Sequence, residues 1–549
     1  MALKDTLAKT LSGEVTDAPE ERAKYRRDTS LFEREPSLVV YPKNADDVAA
    51  LVKATRDAKE AGEDVSVTAR SAGTDMSGGP LTRSVVAVFT KHMNKVEASD
   101  GYAWTEPGAY YRDFEKATLA RGYLLPSYPA SRSIAAMGGI VANNSGGERT
   151  LEYGKTERYV EEIEAVLSDG TKTTFKALSE TELEKKKALQ GLEGDIYRKM
   201  DALLSENQAL TEAKRPKVTK NSAGYALWSV KDAETGTFDL SKLICGSQGT
   251  LAMMTRMKLR LVKPKEHRAM LVIFLKDLAL LPEIVRRVLP FTPESFESYD
   301  DHTFSLALRF APQMLMQMGF LRAVSLGLAF LPDVVTALTG GVPKLILMAE
   351  FAEHSIEEAD AKAAKAKAAL EGLNLPIEIE KDEHASEKYW IVRRESFALL
   401  RKNLHGLYAS PFIDDFVVPP ERYPEFMPKL DALLAGYDLI YTIAGHIGNG
   451  NFHIIPLMNL CDPKTRDVVN ELSPKVYELV IAHGGTTTGE HNDGIIRTPY
   501  LGQLFGPEMT ELFRKTKEIF DPLNVLNPGK KVGGTFEDIN RDMRRTCDA

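Results

Sequence analysis

The sequence predicts an α+β protein of more than one domain, with an antiparallel sheet flanked by helices. Three observations carry this. The chain has 549 residues, and a single hydrophobic core stops growing near roughly 250–300 residues. From residue 38 to 264, strand and helix signals are mixed without the strict strand–helix–strand rhythm of a parallel doubly wound sheet. Beyond that point, strand-like LILMAEF and LIYTIAGHIG interleave with helix patterns at 281–289 and 356–372. That alternation suits an antiparallel sheet carrying its helices on one face.

Taken in order, LVVYP (38–42) reads as a strand and Asp46 to Glu60 as a helix, with VSVTA and VVAVFT following as apolar strands. YRDFEKATLARG reads as a helix stopped by Gly122. IEAVLSDGTKTTF carries an Asp-Gly hairpin signal. RAMLVIFL (268–275) opens a second unit, and EMTELFRKTKEIFDP is a late helix before LNPGKK and a charged tail. The expected domains are 1–264, 265–500 and a C-terminal segment 501–549.

A net charge of -8 argues against a nucleic-acid surface. Cys245, Cys461 and Cys547 form no CxxC pair, which excludes a cysteine-built iron–sulfur cluster and suits a reducing compartment. The N-terminus lacks an apolar run with a cleavage site, so a cytoplasmic location is expected. The most apolar stretch, 304–341, is interrupted by Arg309, Pro312, Arg322 and Pro332 and never reaches the ~20 residues that span a bilayer. It reads as buried helices, or as a surface lying against the inner face of a membrane.

RSAGTDMSGG (70–79) matches neither GxGxxG nor the GxxxxGK[ST] loop. Gly73, Gly78 and Gly79 would let backbone N–H groups approach an anion, with Ser71, Thr74 and Ser77 adding hydroxyls. An ordinary strand-to-strand loop uses the same residue types. MGGIVANNSGG (137–147) is a second such run, with the amides Asn143 and Asn144. Two glycine-rich loops in one domain suggest a long ligand with a pyrophosphate. Farther on, GHIGNGNFHIIP places His446 and His453 seven positions apart, and GEHNDG supplies Glu490. In an unbroken strand the two imidazoles would face opposite ways, whereas Gly448 and Gly450 permit a bend or bulge. Two histidines and a carboxylate leave a divalent ion with open positions. A satisfied turn is the competing reading.

These motifs, with EYG, YVEEIEAVLSDG, KNSAGYAL (220–227) and CGSQGTLAMMT (245–255), resemble the FAD-binding domain of the vanillyl-alcohol-oxidase (PCMH) type. The nearest branch is the D-lactate, D-2-hydroxyglutarate and glycolate dehydrogenases, and the resemblance runs from Ser37 to Lys531. It implies a PCMH-type FAD domain, a cap domain for substrate and a C-terminal segment returning to the FAD domain. By resemblance, Arg70, Ser71, Ala72, Gly73, Thr74, Asp75 and Ser77 would hold the pyrophosphate of FAD. Met137, Gly138, Gly139, Asn143, Asn144, Gly147 and Gly154 would line the flavin path, Val160 the adenine side, Gly249 and Met253 the isoalloxazine, and Asn527 would close the site. The first loop has no His or Cys, so the FAD would be non-covalent. Similar proteins usually carry Glu where this chain has Gln248, which is expected to alter one local hydrogen bond.

GHIGNGNFH is similar to a GHxGDGNxH loop, which implies His446, His453 and Glu490 as ligands of a divalent metal, zinc by choice, and His491 as general base. Asn449 stands where the Asp is usual; if that Asp orients a histidine, its loss would weaken metal binding ~10–100-fold. YWIVRRESF resembles a WxxRE segment whose arginine, here Arg393, clamps the substrate carboxylate, with Arg394 its neighbour. Where some relatives place a lysine, PFIDDF has Ile413. The implied activity is FAD-dependent oxidation of a 2-hydroxy acid, D-configured and lactate-like or larger, to the 2-oxo acid. Its electrons would leave to a quinone, a cytochrome, an electron-transfer flavoprotein or dioxygen. The alternative is a non-redox FAD-containing synthase of the alkylglycerone-phosphate synthase type.

Overall fold

In LVVY and VVAV no position is strongly polar, and in the computed structural model all eight residues are buried, as parallel strands covered on both faces require. The structure describes residues 3–232, 234–301, 343–381, 386–393 and 406–545. Glu14–Thr16 (β1), Leu38–Tyr41 (β2), Val67–Arg70 (β3) and Val85–Val88 (β4) form a sheet in the order β1-β2-β4-β3. β2 and β3 both run parallel to β4, and β1 is antiparallel on the edge. The helix Ala45–Glu60 begins where the Asn44 side chain accepts from Asp47 N at 2.9 Å, and buries Val48, Leu51 and Val52 against this sheet. The C-terminal segment returns here: Val525 and Leu526 join the same core, and Asn527 N donates to Val67 O at 3.0 Å.

The second sheet comprises Val96–Ser99 (β5), Tyr102–Thr105 (β6), Val160–Val166 (β7), Lys172–Lys176 (β8) and Met253–Arg260 (β9), in the order β5-β6-β9-β7-β8 and antiparallel throughout. The Asp-Gly signal is its β7–β8 turn, with Gly170 at φ +87°.

The third sheet is antiparallel at every pairing. Its strands are His267–Leu275 (β10), Ser295–Asp300 (β11), Leu345–Glu353 (β12), Ile377–Glu380 (β13), Tyr408–Ala409 (β14), Phe416–Val417 (β15), Ile440–His446 (β16) and Asn451–Met458 (β17). The order is β13-β10-β12-β11-β16-β17-β14, with β15 also on β17. Alternation divides its faces. Leu271, Ile273, Leu347 and Ala349 share a core with the helices Leu281–Val288, Ile356–Ala369, Tyr423–Leu434 and Pro463–Ala482. Met270, Val272, Ile346 and Met348 point the other way and are covered by Tyr389, Trp390 and Val392. The helices are therefore not confined to one face: 386–393 crosses the opposite one, pinned by Trp390 Nε1 donating to Glu350 at 3.0 Å. No helix among the described residues is long and apolar enough to cross a membrane. The apolar stretch 304–341 lies outside the described residues.

Candidate functional site

Between the first sheet's loops and the third sheet lies a cavity of about 720 Å³. One wall is backbone. β3 ends at Arg70, whose guanidinium turns away to Arg27 O (2.6 Å) and Tyr25 O (3.2 Å) and ties down the N-terminal segment. The next loop folds around Asp75: Oδ1 accepts from Ser77 N (2.6 Å), Ser77 Oγ (2.8 Å) and Gly79 N (3.1 Å), and Oδ2 from Asn143 Nδ2 (2.9 Å). The amides of Ala72 to Met76 meet no protein acceptor among the described residues. The helix Met137–Ala142 seats on this loop at Gly138, where a Cβ would stand 2.5 Å from Pro107 Cβ and 2.7 Å from Ser71 Oγ. At Gly139 and Gly249 a Cβ would meet one atom each within 4 Å and otherwise fill the cavity. Free amides beside side-chain-free walls fit the phosphates and ring system of FAD.

Ser71, Ala72, Gly73, Thr74, Asp75, Gly138, Gly139, Asn143 and Gly249 line the cavity; the other expected flavin contacts lie behind it. Met137 and Val160 pack in the second sheet's core and Met253 in the first's. Ser77 serves Asp75, Asn144 Nδ2 donates to Glu157, and Gly147 backs onto Tyr128 O. Gly154 takes φ +74° at a helix end, and Asn527 Nδ2 bridges Gly79 O and Gln248 O at 3.0 and 2.7 Å.

The facing wall is side chain. His446 ends β16 and His453 lies in β17, and the glycines neither bend nor bulge one strand, as expected, but close a hairpin between two. Gly450, at φ +73°, leaves no room for a Cβ, which would sit 2.1 Å from Val418 O. The register pairs Ala444 with His453 and His446 with Asn451, so both imidazoles share one face with ring centroids 5.2 Å apart. Glu490 Oε1 lies 3.3 Å from His446 Nε2, and ligand atoms of His446, His453 and Glu490 fall within 4.8 Å of one another. Each imidazole is aimed by a carboxylate: Glu297 Oε1 lies 2.6 Å from His446 Nδ1, and Asp414 lies 3.0 Å from His453 Nδ1 and 2.7 Å from His491 Nδ1. Carboxylates on the Nδ1 atoms turn the Nε2 atoms inward, that of His446 toward Glu490, which is the arrangement a metal-binding histidine pair needs.

Asn449 does not take part. Its Nδ2 donates to Thr219 Oγ1 at 3.2 Å and reaches neither histidine, so the orienting role expected there belongs to Glu297 and Asp414. Arg393 also lines the cavity; its Nη2 pairs with Glu297 Oε2 at 3.2 Å, while Nε is buried without an acceptor among the described residues. Ile413 is buried among the helices on the sheet's other face, and Arg394 lies outside the described residues. Glu297, Asp414, Asp415 and Lys220 are the partners that sequence reasoning missed. Asp415 Oδ2 accepts from His491 N (2.7 Å) and Glu490 N (3.0 Å), fixing the loop that carries both residues, and buried Lys220 pairs with Glu490. KNSAGYAL and PFIDDF held three of these four residues in plain view; nothing in the residues around Glu297 marked it.

Residues 36–176 match the family described as FAD binding domain, and 264–531 match FAD linked oxidases, C-terminal domain. The chain carries an FAD binding domain and the C-terminal domain of FAD linked oxidases. D-2-hydroxyglutarate dehydrogenase from Pseudomonas putida is 27% identical over 514 residues, covering 92% of this chain and 49% of its own. The chain thus spans about half the length of that relative. D-lactate dehydrogenase from Archaeoglobus fulgidus is 27% identical over 502 residues, 90% of this chain and 91% of its own. The fold matches 4-ethylphenol oxidase from Gulosibacter chungangensis with a TM-score of 0.68 at 15% identity, over 97% of each chain.

Electrostatics divide the histidine wall into fixed charges. Burial works against ionisation of Glu490, yet Lys220 and His446 outweigh it and hold the carboxyl well below its usual range. Burial likewise opposes Asp414, and the His491 and His453 imidazoles overcome it, keeping Asp414 anionic. For His491, burial pulls the pKa down, but Asp415 and Asp414 prevail and raise it to about 9.

Proposed function

We propose that this protein oxidises a 2-hydroxy acid, D-configured, to the 2-oxo acid. One observation carries the reading: a carboxylate clamp, a metal-type triad and a base line the same cavity as the glycine cradle. FAD, when bound, supplies the acceptor for the electron pair and hydrogen leaving C2. A divalent metal, zinc by its two imidazoles and carboxylate, supplies Lewis acidity toward the hydroxyl oxygen when held by His446, His453 and Glu490.

The chain's own residues do the rest. Arg393 binds the substrate carboxylate through Nε and its neighbouring Nη, while Glu297 holds the guanidinium plane from behind. His491 takes the hydroxyl proton on Nε2, because Nδ1 is committed to Asp414, which then stabilises the imidazolium. His491 acts as base only when neutral, and a dication on the adjoining triad favours that form by like-charge repulsion. Electrons leave afterwards to a quinone, a cytochrome, an electron-transfer flavoprotein or dioxygen. The test is a screen of D- and L-2-hydroxy acids for anaerobic bleaching of the purified yellow protein. Bleaching by D-isomers is expected; absence of bleaching by every 2-hydroxy acid would overturn the reading.

A further inference from the structure

The two walls of the cavity meet at Gln248. Its side chain is buried, and it serves loops of different function with its two ends. Nε2 donates to Ser77 Oγ (3.2 Å), Asn143 Oδ1 (3.3 Å) and Asp75 Oδ2 (3.4 Å), all in the flavin loops. Oε1 accepts from Gly494 N at 2.9 Å, just past the Glu490–His491 pair. The backbone is fixed independently of the side chain. Gln248 N donates to Ala142 O at 2.9 Å, its carbonyl accepts from Asn527 Nδ2, and its φ of +52° strains any side chain alike.

The requirement on position 248 is therefore chemical. Asp75 is acceptor-only and Gly494 N is donor-only, so the bridging group must donate at one end and accept at the other. A primary amide does both without charge. An ionised carboxylate satisfies Gly494 but stands against Asp75 at hydrogen-bond distance, where like charges repel. We infer that Gln248 is the positioning residue that joins the flavin loop at Asp75 to the catalytic loop at Gly494, through a neutral amide that a carboxylate cannot replace while Asp75 stands opposite it. Its consequence is mechanical: ordering of the 71–79 loop by FAD is passed to residues 490–494, which carry Glu490 and His491.

The inference rests on FAD binding in this cradle, and the experiment separates the two. FAD affinity is measured by fluorescence of released flavin, at one near-neutral pH, for wild type, Gln248→Glu, Asp75→Asn and the double variant. Hydrogen exchange of 489–496 is followed with and without FAD. Gln248→Glu is expected to weaken FAD about 10–100-fold, for a buried carboxylate pair and a lost charge-assisted bond. It should also abolish the protection that FAD confers on 489–496 in wild type. The double variant exchanges amide and carboxylate and is expected to recover most of the affinity and the protection, which a merely structural lesion would not. Should Gln248→Glu fail to fold, recovery of folded yellow protein in the double variant supports the inference equally. Wild-type affinity in Gln248→Glu, or no recovery in the double variant, overturns the inference and leaves the proposed oxidation standing. A wild-type chain that binds no FAD overturns both.

Discussion

The two walls of the cavity are built from opposite materials. The flavin wall offers backbone amides and the space where side chains are absent, at Ala72 to Met76, Gly139 and Gly249. The histidine wall offers side chains, each held by a carboxylate from elsewhere in the chain, with Glu297 149 positions from His446 and Asp414 77 positions from His491. A backbone site is specified locally, by small residues in a row. A side-chain site is specified by tertiary pairing, so its chemistry is fragile at positions far from its ligands.

That contrast predicts which lesions separate the walls. His491→Ala should give the largest effect: anaerobic flavin reduction by substrate slower by roughly 10²–10⁴, with FAD content unchanged by absorbance. Equal loss of both would mean that the walls are not separable. Lys220→Met should come next. It leaves buried Glu490 with the His446 imidazole as its remaining cationic partner, costing up to about 3–5 kcal/mol of stability in metal-free protein. A divalent cation should restore the melting temperature, and a melting temperature indifferent to metal would remove Glu490 from the ligand set.

The reciprocal lesion is Gly139→Val. The added side chain projects into open space, 3.7 Å from the Ser71 side chain at its Cβ, so the fold should tolerate it. FAD affinity should fall about 10–100-fold by overfilling, with metal content by elemental analysis unchanged. The last concerns Asp28, beside the flavin loop. Burial first, and the Asp75 charge second, raise its carboxyl to about 7, and its Oδ2 is buried without a partner among the described residues. A raised acid binds its proton more tightly when folded, so stability should fall as pH rises from near 4 to about 7, by up to about 1.4 kcal/mol per unit. Asp28→Asn should flatten that slope in thermal melts.

Legibility in the sequence follows the same division. The helix Ala45–Glu60, the Asp-Gly turn and strands β10, β12 and β16 are readable because periodicity and turn chemistry are local. Pro463–Ala482 carries Pro474 inside it, which interrupts the helical signal, and 386–393 is placed on its sheet face by Trp390 and Arg393 contacts that only the fold creates. In the site, the glycine loops and the trio His446, His453 and Glu490 were readable. Glu297 and Lys220 were not, since their partners are 149 and 270 positions away. Asn449 was legible but misleading: a loop position rich in meaning by pattern turns to Thr219 once the hairpin closes.

The central claim is that the triad and the glycine cradle act on one substrate in one cavity. Anaerobic flavin bleaching by a single D-2-hydroxy acid, before chelation, after it and after zinc is returned, tests this most directly. Rapid bleaching is predicted, with loss of bleaching on chelation while FAD stays bound, and recovery with zinc. Full-speed bleaching by protein that elemental analysis finds free of metal would contradict it.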